Sequence, residues 1–267
     1  MTQKFAILYP NLVTESTAIT GGSWLAGAPV TNVGTRPLAE TARSTSASNT
    51  AHTKILIDHG SAKTARALKI SAHNLSSSAT IVWKRGTSSG GSEVSNSGSV
   101  AAWRFSPETF DGTIYDADIL LSAENSARYD TIEITDTSNA AGFVDIGRVL
   151  IGPVFESRWN PSYGLRHGHI EKSTVGEAKG GADWAWEGRR IRTVQFVLDF
   201  LTLAEGDLMD QFAQTHGITR EVGWLPYNDV PARMQQFGML ALMRELSGIA
   251  HPRYSENSMA FSLRKRV

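Results

Sequence analysis

His167 and His169 stand either side of Gly168, and on a strand that spacing puts both imidazoles on one face. Such a pair could hold a metal edge-on, but no third ligand follows nearby, and histidines around a glycine in a polar connector are better explained as solvated groups. Asp111, Asp116 and Asp118 could contribute to a calcium loop. The ordered spacing of a calcium hand is missing, which favours solvated turn carboxylates. His59 beside Gly60 and His73 beside Asn74 suit hydrogen bonding at strand-end turns. A polysaccharide hydrolase would need two convergent carboxylates. Glu124, Glu133, Glu171, Glu177 and Glu187 are available, and nothing in their spacing pairs them.

Other chemistries leave no trace. The chain has no cysteine, which removes disulfides, thiolate nucleophiles and thiolate metal sites together. The segment "GSAKT" (60–64) has the wrong spacing for a phosphate loop, and there is no HExxH, GxSxG or dinucleotide fingerprint. No catalytic residue, metal or cofactor is expected.

Aromatic residues are the better candidates for a site. There are seven tryptophans. Trp83 continues the face of Ile81 and should be core. Trp103 with its neighbour Arg104, and the pair Trp184 and Trp186, lie next to loop-like sequence. Exposed rings there could stack on sugar faces or anchor a protein interface; alternatively they cap the ends of hydrophobic cores. The basic end, Arg264 to Arg266, reads as a solvated terminus or a docking point.

The elements that must position these residues are mostly strands. In "ILIDHGSAKTARALKISAHNLSSSATIVWK" (55–84), three short apolar runs are separated by two polar clusters rich in turn-forming residues, and Gly60 falls where a left-handed turn is expected. "VAAWRF", "DADILLSA", "YDTIEITD" and "GFVDIGRVLIG" continue the pattern, with 86–99 as a long polar loop. Many short strands with polar punctuation predict an antiparallel β-sandwich over 1–155. A β-rich second domain should occupy 156–267, with the alternation over 190–201 turning Val194, Phe196, Leu198 and Phe200 inward. One helix is predicted near 203–216: Thr202 and Glu205 form a capping box, Ala204, Leu208 and Phe212 share a face, and Gly217 stops it. The segment 234–246 fits helix or strand, with strand favoured.

Basic and acidic residues balance at 26 each, so no global field draws the chain to nucleic acid or anionic lipid. The first residues lack the apolar core and cleavage site of a signal peptide, and no apolar run approaches the ~20 residues that span a bilayer. A soluble protein made in the cytoplasm is expected.

The segments "LIDHG", "ALKISAHNLSSSATIVWK" and "YDTIEITDTSNAAGFVDIGRVLIGPVF" resemble the galactose-binding-like (discoidin-type) β-sandwich, a jelly roll, found in tail proteins of tailed phages and prophages. The similarity covers roughly 20–156. The stretch from "RRIRTVQFVLDFLTLAEGDLMDQF" to "FSLRKRV" resembles the β-domain of tail-tip and distal-tail proteins. This resemblance implies a structural protein of a virion tail tip or baseplate, assembled in the host bacterial cytoplasm as a homo-oligomeric ring. Its partners would be tail tube, hub and tape-measure proteins. An adhesion module for host-surface glycans is the alternative.

Overall fold

The computed structural model describes residues 5–105, 115–161, 164–177, 179–181, 183–245, 247–253 and 256–267. Asp111 lies outside them. The chain forms two compact units, Met1–Glu156 with Val222–Leu240, and Ser157–Glu221 with Ala241–Val267. The sequence places its divide after residue 155; it does not reveal that Val222–Leu240 returns to the first unit.

Strands up to the divide are β1 (Phe5–Leu8), β2 (Ala18–Thr20), β3 (Ala42–Arg43), β4 (Ile55–His73), β5 (Thr80–Gly86), β6 (Ser95–Ala101), β7 (Ala117–Thr135), β8 (Asp145–Gly152) and β9 (Val154–Phe155). Beyond it come β10 (Arg166–Glu171), β11 (Thr174–Glu177), β12 (Asp183–Trp186), β13 (Arg190–Leu201), β14 (Glu221–Pro226), β15 (Met239–Met243), β16 (Ala250–Arg253) and β17 (Glu256–Lys265). Helices are α1 (Thr50–Thr53), α2 (Leu203–His216) and α3 (Pro231–Phe237). The all-β class expected from the sequence holds, with antiparallel pairing of β1 with β14, β10 with β13, β4 with β7 and β8, and β5 with β7.

Two 19-residue strands, β4 and β7, organise the first unit. Early β4 (Ile55–Asp58) pairs with late β7 and with β2, whereas late β4 (Ala67–Ile70) pairs with early β7 and with β8. Register shifts between Asp58 and Lys63 and between Ala65 and Ala67 separate the two stretches. Each long strand thus serves two layers, a sandwich over one core. Ile55, Ile57, Ile81, Trp83 and Ile132 reach that core from one layer, and Leu68, Ile70, Ile146, Val149 and Ile151 from the other. The three short strands expected over 55–84 are therefore two. The polar cluster at Gly60 is a bulge inside β4 and not a connecting turn, although Gly60 takes the expected left-handed φ of +72°.

The outer face of late β4 and β8 is covered as well. Ala67 and Leu150 pack with Ala6, Leu8, Leu225, Met234 and Leu240, brought there by β1, α3 and the returning segment. Double coverage explains why β8 is buried from Ile146 to Gly152, with no alternation.

In the second unit β13 pairs with β10 and β17, and β15 also pairs with β17. Phe196 and Phe261 stack across β13 and β17 with centroids 4.9 Å apart, and Phe212 of α2 lies 6.2 Å from Phe261. Val194, Phe196 and Leu198 face inward as expected, but Phe200 does not. A register shift after Leu198, with φ of +61° at Phe200, turns Leu201 inward and leaves Phe200 exposed. The helix has its capping box, with Gly217 as the C-cap. Its buried face is Met209, Phe212 and His216, while Leu208 is exposed. The ambiguous 234–246 segment contains both forms, the end of α3 and then β15.

Candidate binding surfaces

Trp184 and Trp186 lie on β12, which pairs only with β11 among the described residues. Being two residues apart on a strand, they share a face, about 7 Å apart along the backbone. Across the hairpin they sit opposite Gly176 and Thr174. A Cβ on Gly176 would come within 2.5 Å of the Trp184 ring, so the glycine is what lets that indole lie across its neighbour strand. The two rings remain 50% and 75% exposed. Two large apolar faces therefore meet water side by side, with the hairpin as their backing.

The other candidates are embedded. Trp103 is half-buried against the sandwich core and donates Nε1–H to the Leu75 carbonyl at 2.9 Å. Arg104 donates through Nη2 to the Asp118 carbonyl at 2.5 Å, and its amide donates to Gln235 Oε1 at 2.7 Å. Trp83 and Trp224 are fully buried, Trp24 is half-buried on the core, and Trp159 is exposed.

Asp116 and Asp118 are not the solvated turn carboxylates expected from the sequence. Both are buried around Lys69, whose Nζ lies 2.6 Å from Asp118 Oδ1 and 3.4 Å from Asp116 Oδ2. Asp116 Oδ2 also accepts from the Leu240 amide at 2.7 Å. Burial, only partly offset by Lys69, pushes the Asp118 carboxyl up to about 6. Burial opposes the Lys69 charge, but the two carboxylates prevail and leave its pKa raised.

His59 likewise departs from the turn reading. Its side chain is 2% exposed, and Nε2 lies 2.7 Å from Asp130 Oδ2. His73 keeps its local role, with Nδ1 accepting from the Leu75 amide at 3.3 Å. His167 and His169 share a face of β10 as expected. Among the described residues, no three or more His, Asp or Glu come together in a set able to hold a metal ion.

Of the glutamates, Glu133 pairs with Lys84 at 2.7 Å and Glu171 accepts from Ser173 at 2.7 Å. Glu124 accepts from the Val154 amide at 3.2 Å, and Glu177 and Glu187 are exposed. Arg266, in the basic end, pairs with Glu221.

A cleft of about 710 Å³ opens in the first unit beside Leu25, Asn32, Glu40, Thr41 and Arg43. Asp145 grips Arg43 at 2.8 Å through both Nε and Nη2, and the guanidinium lies 4.1 Å from the Phe143 ring centre. That clamp fixes the guanidinium plane and leaves Nη1 available as a donor to a ligand hydroxyl.

No protein-family model and no curated protein matches the chain. Solved structures similar to it include SpGH29, at 10% identity and a TM-score of 0.38 over 55% of this chain; the match spans only 28% of SpGH29. A Streptococcus pneumoniae fucose binding module, SpX-3, is 12% identical at a TM-score of 0.39, over 54% of this chain and 97% of the module. The lectin domain of lectinolysin complexed with Lewis B antigen is 14% identical at 0.40, over 55% of this chain and 98% of the domain.

Proposed function

We propose that the protein is a non-catalytic binding protein that recognises carbohydrate. The observation carrying this reading is the pair of exposed indoles, Trp184 and Trp186, on one face of an uncovered hairpin. An indole face takes the C–H face of a sugar ring by dispersion and by removing apolar area from water, and two such faces side by side offer a platform for adjoining rings. A glycan array probed with the whole chain tests it. The expected result is binding to a restricted set of glycans that falls at least tenfold in Trp184→Ala and in Trp186→Ala. No glycan bound, or binding indifferent to both substitutions, overturns the reading.

A second reading is a structural subunit of a phage tail tip, placed in the virion tail as a ring of identical copies in contact with other tail proteins. It is supported by edge strands, among them β6, which pairs with β5, and β10, which pairs with β13. Open edges present unpaired amides and carbonyls to a further strand, and a closed ring hides them. Mass photometry separates the readings: rings that form without glycan favour the second.

A further inference from the structure

The bulge in β4 is held from inside by Arg85. Where the β4–β7 ladder shifts register, carbonyls lose their strand partners. Arg85 supplies donors there: Nη2 to Lys63 O at 2.8 Å, and Nη1 to Ala65 O at 2.9 Å and to Asn125 O at 2.6 Å. Asp130 balances its charge through Oδ1 at 2.8 Å, and the same oxygen accepts from Trp83 Nε1 at 2.8 Å. Every one of these groups has a structural task. His59 has one as well, at Nε2, which donates to Asp130 Oδ2. Its other nitrogen, Nδ1, has no hydrogen-bond partner among the described residues.

His59 also lines a cleft of about 300 Å³ between the bulge and the segment that leads into β2, with Ser16, Thr17, Asp58 and Lys63. Asp58 is already satisfied by Arg128, at 2.8 Å through both Nε and Nη2, and by the Gly60 amide at 2.7 Å. The Lys63 ammonium has no carboxylate partner among the described residues. Asp58, the one acid lining the cleft, is thus matched by an arginine, and Lys63 is the uncompensated charge. Bulges re-aim side chains next to binding sites in just this manner.

We propose that this cleft binds a small anion, a carboxylate or phosphate group on a molecule of about monosaccharide size. Lys63 supplies the charge and the Ser16 hydroxyl a polar contact, His59 offers only the narrow edge of a side chain that is 2% exposed, and the volume lies at the small end of ligand clefts. The buried Asp130 contact fixes the imidazole plane before the ligand arrives, so little ordering remains at binding. The site is independent of the tryptophan platform, which belongs to the other unit.

The test is a titration of the whole ¹⁵N-labelled protein with sodium glucuronate, with inorganic phosphate, and with glucose as the neutral control, following the His59 ring nitrogens by NMR. The expected result is a saturable shift with at least one anion and none with glucose; the anion that saturates identifies carboxylate or phosphate as the recognised group. Lys63→Met, at an exposed position, should weaken that binding at least tenfold with the fold intact. His59→Gln should weaken it too, and if that variant does not fold, Lys63→Met decides alone. A linear, non-saturating response, an equal shift with glucose, or unchanged binding in Lys63→Met overturns the proposal.

Discussion

Arg85 and Asp130 meet through Nε and Oδ1 at 2.8 Å, with both side chains wholly withdrawn from water. Arg85→Met takes the guanidinium from a buried carboxylate, leaving it only His59 Nε2 and Trp83 Nε1, and should destabilise the first unit by about 3–5 kcal/mol. Replacing both residues by apolar ones should recover only part of this loss. The carbonyls of Lys63, Ala65 and Asn125 would still be without their donor. Urea unfolding of the single and double variants measures it, and a double variant as stable as the parent would refute the account.

Asp118 makes the first unit more stable in acid. Its folded pKa, about 6, lies above the ordinary 3.8, so the folded state holds the proton more tightly than the unfolded state does. The stabilisation is complete below 3.8 and is lost as pH rises through about 6. Asp118→Asn should flatten that slope. Hydrogen exchange of Lys69 and its strand neighbours across this range reports the change.

His216 acts in the opposite sense in the second unit. Burial, with the Arg220 charge as a lesser cause, lowers its pKa from 6.5 to about 4, so the folded imidazole stays neutral. Stability is fully present above 6.5 and lost as pH falls through about 4. His216→Leu should remove this acid sensitivity while keeping contact with Phe212, whose ring centroid lies 5.0 Å away. Exchange rates in α2 provide the measurement.

Thr202→Ala removes the side chain that accepts from the Glu205 amide, and leaves that glutamate bonded to the residue 202 amide. A loss of about 1 kcal/mol is expected. Thermal unfolding followed at the Phe212 and Phe261 pair would detect it, and an unchanged midpoint would argue that β13 packing alone fixes the helix start.

What was legible in the sequence was local. The Thr202–Glu205 box and Gly217 mark the ends of α2 because each acts within one turn. Alternation located Val194, Phe196 and Leu198, and failed at Phe200, where a bulge resets the period. The continuous β4 was hidden because its bulge is satisfied by a side chain 20 and 22 residues away along the chain. Asp116 and Asp118 looked like surface groups because their partner Lys69 comes from a distant strand. Trp184 and Trp186 were visible as residues in polar sequence; Gly176, which gives one of them room, had no signature before β11 and β12 were paired.

The return of Val222–Leu240 to the first unit has a consequence for synthesis. When residue 156 leaves the ribosome, β1 still lacks its partner β14, and Ala67 and Leu150 lack the cover of Leu225, Met234 and Leu240. The nascent sandwich must wait, one greasy flank bare, while the whole intervening stretch from Ser157 to Glu221 is translated. A fragment ended at Glu156 would keep that flank permanently and should aggregate, whereas a protease nick within 157–221 should leave the early and late pieces clasped together.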